Sequence, residues 1–297
     1  MELIKKLSLG MTLGEGPVWN SPRSSWMWLD ILEQKLYELP FENDVVCENP
    51  CVHSLGFTGS CIAVQNETSV IIVAKQGVFE YNLENRLSKL LVDLALPEHI
   101  RTNDGVTSPD GKLWFSTMEL SPTGSLGAIY CLDQNMNMSV FCDKIGIPNT
   151  FVFDSSNNSF LLSDSLKQQT YSFPLDNNYY PNVTKKALYM STEMESYTPD
   201  GGAMDVEGNL WLAFWGAGKI QCLDQKADTI AEIELEALHV TSCCFGGSNN
   251  NYLLITSAQE GLNDEQLSHY PQSGSVFIYK LNVTGQSIPN YKMENRC

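Results

Sequence analysis

Basic residues are scarce in this chain. It has 18 Lys and Arg against 35 Asp and Glu in 297 residues, a formal net charge of −17. Nucleic acids and anionic membranes select clustered cationic side chains, so neither is expected as a partner. Solubility accounts for the acidic balance; a negative potential that gathers cations is the functional alternative. No apolar run reaches the roughly 18 residues of a membrane-spanning helix. Met1–Gly10 holds too short an apolar stretch for a secretory signal. The four histidines, His53, His99, His239 and His269, have no ligand-like spacing, so a histidine-based centre is not expected. No Pro/Ser-rich linker divides the chain, and residues 1–297 are expected to form a single domain. The expectation is a cytoplasmic protein, monomeric or weakly homo-oligomeric, acting on a small molecule.

Cysteine is not scarce, but its pattern excludes a disulfide framework. The nine cysteines are odd in number, and several lie in strand-like runs such as Cys61-Ile-Ala-Val64 and Tyr130-Cys-Leu132. They read as buried thiols in a reducing compartment. Cys47-x-x-x-Cys51 lacks a second Cys/His pair at zinc-ligand spacing.

What is present is a repeated phrase. A polar turn is followed by a short apolar strand, a second turn and a second strand. Glu15-Gly-Pro-Val-Trp19 leads to Trp26-Met-Trp-Leu-Asp30, and Asn103-Asp-Gly105 leads to Leu113-Trp-Phe-Ser-Thr117. Asn149-Thr-Phe-Val-Phe-Asp154 leads to Phe160-Leu-Leu-Ser-Asp164, and Asp200-Gly-Gly202 leads to Leu210-Trp-Leu-Ala-Phe214. The spacing is roughly 40–50 residues, or a multiple of it, as in propeller blades. Cutting at the repeat gives units beginning near Gly14, Thr58, Asn103, Pro148, Pro199 and Thr241. Strands are expected almost throughout, including Leu87–Leu96. The predicted fold is all-β, a six-bladed β-propeller with four antiparallel strands per blade and a central site.

The phrases open on Glu15, Asn103, Asn149 and Asp200, which should share one place in the repeat, ahead of the first strand of each unit. Ring closure would bring them to one axis. Two carboxylates and two amides make an all-oxygen donor set, which suits hard divalent cations such as Ca²⁺, Mg²⁺ or Mn²⁺. Asn-Asp-Gly and Pro-Asp-Gly are also ordinary turn sequences. Pro109-Asp-Gly111 and Glu207-Gly-Asn209 fall after the first strand and read as hairpin turns. Arg101 reads equally well as a rim salt bridge or as a substrate contact.

At these residues the chain resembles the SMP-30/gluconolactonase/luciferin-regenerating enzyme family, which includes regucalcin. Gly14-Glu-Gly-Pro17, Arg101-Thr-Asn-Asp-Gly105 with Phe115-Ser-Thr-Met118, and Pro199-Asp-Gly201 with Leu210-Trp211 carry the resemblance, in family order and spacing. It implies a propeller with one catalytic divalent metal ion, Ca²⁺, Zn²⁺, Mg²⁺ or Mn²⁺, held by Glu15, Asn149 and Asp200. It also implies substrate contacts from Arg101 and Asn103, with Asp104 in an acidic position beside them. Two departures stand out. Pro148-Asn149 continues with Thr150-Phe151 where the family has Gly-Leu, and Glu119 is offset from a further family carboxylate whose place falls nearer Ser121.

The function so implied is metal-dependent opening of a sugar lactone or similar cyclic ester, with Asp200 as ligand and general base. The alternatives are a phosphotriester or other ester hydrolase, a luciferin-regenerating type of enzyme, and a non-enzymatic calcium-binding propeller.

Overall fold

Val70-Ile-Ile-Val-Ala74 illustrates what builds the molecule. Four consecutive β-branched residues favour an extended backbone, and the strand Ser69–Ala74 is buried along its whole length. Both faces of such a strand need covering, so the sheets must stack. The computed structural model describes residues 1–294; Cys297 lies outside them. The architecture is all-β and propeller-like.

Three antiparallel sheets of four strands follow chain order: Gly59–Val64 to Ser88–Asp93, Ile100–Thr107 to Met138–Ile145, and Pro148–Asp154 to Ala187–Ser191. A five-stranded sheet holds Gly14–Asn20, Ser25–Asp30, Lys35–Glu42 and Cys51–Ser54, with the short Val45–Val46 paired to the end of Lys35–Glu42. The eight-stranded sheet contains two meanders joined by one bridge, Trp215 to His239. One meander begins at Thr198–Met204. The other begins at His239–Gly246, and its outer strand is the N-terminal Glu2–Leu7, paired antiparallel with Val276–Lys280. The repeat gives no reason to expect a strand before Gly14. Its placement covers a sheet edge that would otherwise stay open.

The first strands begin at Gly14, Gly59, Ile100, Pro148, Thr198 and His239, close to the expected starts. Each packs beside the next, and His239–Gly246 returns to Gly14–Asn20, closing the cycle. Apolar clusters fill the spaces between neighbouring sheets. Ile71, Val73 and Val78 meet Leu113, Phe115 and Leu132. Trp114 and Ile129 meet Phe151, Phe153 and Phe160. Beyond the last strand the chain crosses the far ends of the first strands: Gln286 N donates to Met204 O at 2.8 Å and Tyr291 N to Val64 O at 2.7 Å. Behind this crossing lies a cavity of about 660 Å³ bordered by Gly16, Asp104, Phe151 and Ile288.

The expected strand near Leu87–Leu96 is present as Ser88–Asp93. A six-residue α-helix, Asp264–His269, was not expected. Its capping box of Asn263 and Gln266 is visible in the sequence, but so short a segment shows no apolar period. Among the described residues no helix is long and apolar enough to cross a membrane, and all cysteines are free thiols. Cys61, Cys131, Cys222, Cys243 and Cys244 are buried, whereas Cys51 is exposed.

One ionic cluster ties the first sheet together. Arg23 Nε donates to Glu38 Oε1 at 2.7 Å, Ser25 Oγ donates to the same oxygen at 3.1 Å, and His53 Nε2 lies 3.7 Å from Oε2. Burial pushes the Glu38 carboxyl up, but His53, Arg23 and Ser25 outweigh it and hold the group down at about 2. A depressed carboxyl stabilises the fold above its ordinary range and loses that contribution as pH falls toward about 2. Glu38→Gln should therefore cost about 2 kcal/mol near neutrality, because Arg23 and Ser25 lose a charged acceptor. The variant should also lose part of the acid limb in urea midpoints measured against pH; an unchanged acid limb would refute this.

Candidate functional site

Every first strand is interrupted at the same depth. In Gly14–Asn20 the ladder pairs Glu15 with Leu29 and resumes at Val18 with Met27, so Gly16 and Pro17 oppose Trp28 alone. The same two-against-one bulge places Asn103 and Asp104 against Ser116, Thr150 and Phe151 against Leu162, and Asp200 and Gly201 against Ala213. The two remaining first strands carry shorter irregularities at Ser60 and Thr241. A bulge turns side chains out of the regular alternation and aims them elsewhere.

The four phrase-opening residues therefore do not lie ahead of the first strands, and they do not share one register position. Glu15 and Asn149 are the last paired residues before their bulges, whereas Asn103 and Asp200 are the first bulged ones. Counting from turn to turn hides this one-residue offset, since the bulge supplies the extra residue. Ser60, not Thr58, occupies the corresponding place in the second unit.

Hydrogen bonds bind these bulges to one another. Arg101 Nη1 donates to Asn103 Oδ1 at 2.8 Å and to Thr102 O at 3.0 Å. Asn103 Nδ2 donates to Asn149 Oδ1 at 2.7 Å and to Pro148 O at 3.1 Å. Asn149 Nδ2 donates to Ser165 Oγ at 3.0 Å, and Ser165 Oγ donates to Pro199 O at 2.6 Å. Thr150 Oγ1 donates to Asp200 O. Thr241 Oγ1 closes the far side by donating to Gly14 O at 2.6 Å. Asp104 accepts from its neighbour Gly105 N at 2.7 Å and from Phe151 N at 3.3 Å, across to the next unit. The polar side chains are thus oriented by protein partners, with little freedom left to lose on binding.

The electrostatics are strained by design of the fold. Burial pushes the Glu15 carboxyl up to about 8, with the Asp104 charge adding to the effect. Burial raises Asp104 to about 6 against the pull of its backbone donors. Asp200 is raised well above the ordinary carboxylate range by burial, then by Glu15 and Asp104. Arg101 is the cation among them. Burial lowers its pKa, while Glu260, Glu15 and Asp200 oppose that effect. All six residues singled out in the sequence, Glu15, Arg101, Asn103, Asp104, Asn149 and Asp200, are therefore brought into one interacting group.

The donor chemistry fits a hard divalent cation. Glu15 and Asp200 offer carboxylates, and Asn149 Oδ1 keeps a second lone pair beside the one engaged by Asn103. No group of three or more His, Cys, Asp or Glu side chains arranged for a metal occurs among the described residues; this set is two carboxylates and an amide.

Other candidates stay outside the group. Glu119 Oε2 accepts from Gly124 N at 3.1 Å in its own loop. His53 contacts Tyr81 Oη, and His239 stacks on Trp215 at 4.0 Å, with burial lowering its pKa to about 4. Sequence reasoning missed Glu260, which acts on Arg101 and Glu15 from the loop after Tyr252–Ala258, and Ser165, which links two bulges. Neither carries a local signal, since each depends on which loop closes over the axis.

The model of the SMP-30/Gluconolactonase/LRE-like region matches residues 13–259. The chain is similar to the 6-deoxy-6-sulfogluconolactonase of Pseudomonas putida, at 28% identity over 278 residues, 93% of this chain and 94% of that protein. It is similar to regucalcin of Gallus gallus at 29% identity over 296 residues, 94% of each. Among solved structures, a calcium-binding regucalcin from Agrobacterium tumefaciens matches with a TM-score of 0.90 at 28% identity, covering 98% of this chain and 97% of that one.

Proposed function

The chain belongs to the SMP-30/gluconolactonase/LRE-like family, and from that membership and the site geometry we infer that it is a divalent-metal-dependent hydrolase opening a sugar lactone or similar cyclic ester. The observation that carries this reading is the meeting of Glu15, Asn149 and Asp200 with Asn103 and Arg101 around one axis. Similarity to a sulfogluconolactonase supports the substrate class. In this reading the eight-stranded sheet is two blades joined at Trp215 and His239, so six blades surround the site and residues 1–297 form one domain.

Glu15, Asn149 and Asp200 would hold the cation. Bound there, a divalent cation polarises an ester carbonyl and acidifies water. Asp200 accepts the proton of the attacking water, as a carboxylate within hydrogen-bond reach can. The water oxygen bonds to the carbonyl carbon, the ring C–O bond breaks, and the departing ring oxygen takes up that proton. Arg101 meets the negative charge that builds on oxygen. Asn103, braced by Arg101 and Asn149, orients the substrate's hydroxyls or carbonyl. Asp104 supports the site from the cavity side, with both oxygens engaged by backbone amides.

Chelator-stripped protein should open δ-gluconolactone only after Ca²⁺, Zn²⁺, Mg²⁺ or Mn²⁺ is restored, and should favour the lactone over an aryl phosphotriester. Turnover that is indifferent to cations would defeat the reading. Cation binding without turnover of either substrate would favour a calcium-binding propeller instead.

A further inference from the structure

We propose that Thr150 is a positioning residue that locks Asp200 and the Asn149 turn into cation-binding geometry; this inference rests on the reading of Asn149 and Asp200 as cation ligands. Thr150 has φ of 58°, in the left-handed region, where a β-branched side chain is an outlier. Gly16 holds the same register position after Glu15, with φ of 56°. Glycine meets that conformation without steric cost. At position 150 the chain keeps a threonine instead, fully buried, and three interactions over-determine it. Its Oγ1 donates to the backbone carbonyl of Asp200. The same oxygen accepts from Ser163 Oγ at 2.7 Å, and Ser163 is hydrogen-bonded to Thr170 Oγ1 at 2.7 Å. The third lies at the next residue, where Phe151 N donates to Asp104 Oδ2 at 3.3 Å.

A strained backbone persists where surrounding contacts insist on it, and such residues gather at functional sites. Here the hydroxyl spans two sheets. One end is anchored in the strand Ser159–Asp164, and the other holds the bulge that presents Asp200. Glycine would adopt the backbone conformation but leave the Asp200 carbonyl and the Ser163 hydroxyl without this buried partner. The departure from the family's Pro-Asn-Gly-Leu pattern is thus an exchange of conformational ease for a fixed inter-sheet contact.

The test compares Thr150→Ser, Thr150→Gly and Thr150→Val by calorimetric titration with Ca²⁺ and Mn²⁺, thermal midpoint, and kcat and KM on δ-gluconolactone. Serine keeps the hydroxyl and should match the parent in cation affinity. Glycine accepts the left-handed φ, so that variant should fold, yet bind cation about tenfold more weakly, the usual scale for losing a group that orients a ligand. Its kcat should fall with affinity, while KM moves less, because Arg101 and Asn103 are untouched. Valine should behave like glycine in affinity, with a lower thermal midpoint. Parental affinity in Thr150→Gly, or a serine variant as weak as glycine, would overturn the role of the hydroxyl while leaving the site reading intact. A parent that binds neither cation would overturn both.

Discussion

Asp200→Asn should lower cation-dependent lactone opening by about a thousandfold, the combined scale of losing a general base and a charged ligand. The substitution is nearly isosteric, so the bulge against Ala213 and the Thr150 bond to the Asp200 carbonyl survive. What disappears is a carboxylate whose proton affinity is raised by burial and by Glu15. Cation affinity should fall as well, because the donor set retains one carboxylate instead of two. Asn103→Ala is the informative comparison. It removes the brace between Arg101 and Asn149 but no carboxylate, so its loss should be smaller and concentrated in KM. Stopped assays of lactone consumption over a range of added Mn²⁺ would measure both variants. An Asp200→Asn enzyme that regains parental kcat at saturating cation would remove Asp200 from the role of base.

The ring was legible in the sequence because its turns are written in Gly, Asp, Asn and Pro at a regular interval, and its strands in short β-branched or aromatic runs. Trp114, Trp211 and Trp28 each stand in a second strand, which made the phrases easy to align. The register of the first strands was not legible. A bulge is one added residue in a ladder, and nothing in Glu15-Gly-Pro or Asn149-Thr-Phe says which residue is paired and which is extra. The N-terminal strand was hidden for a different reason: its partner, Val276–Lys280, lies at the other end of the chain. The six residues of the candidate site could be named because they sit in or beside the repeated phrases. Ser165 and Glu260 could not, since they reach the axis from loops whose course depends on the closed ring. Thr150 was visible only as a departure; its φ and its bond to Asp200 explain why the departure matters.

Glu15→Gln should stabilise the cation-free protein at alkaline pH while abolishing its response to cations. The Glu15 carboxyl is raised from an ordinary 4.5 to about 8, first by burial and then by Asp104. A group raised in the folded state favours folding below its ordinary pKa and loses that advantage as pH climbs through the raised value. Thermal midpoints of stripped parent protein should therefore decline between about pH 5 and about pH 9, with Asp104, raised to about 6, contributing the earlier part. Glutamine carries no charge, so parent and variant should coincide at the acid end and diverge above it, with the variant about 5 °C higher at the alkaline end. Saturating Ca²⁺ should raise the parent and leave Glu15→Gln where it was, by mass action on a site that one of them no longer has. Parallel curves would mean that Glu15 ionises without cost, and the crowding of Glu15, Asp104 and Asp200 would then not be what a cation relieves. Divergence at high pH, cancelled by cation in the parent alone, would mean that the fold tolerates repulsion among buried carboxylates because the bound state needs their charge.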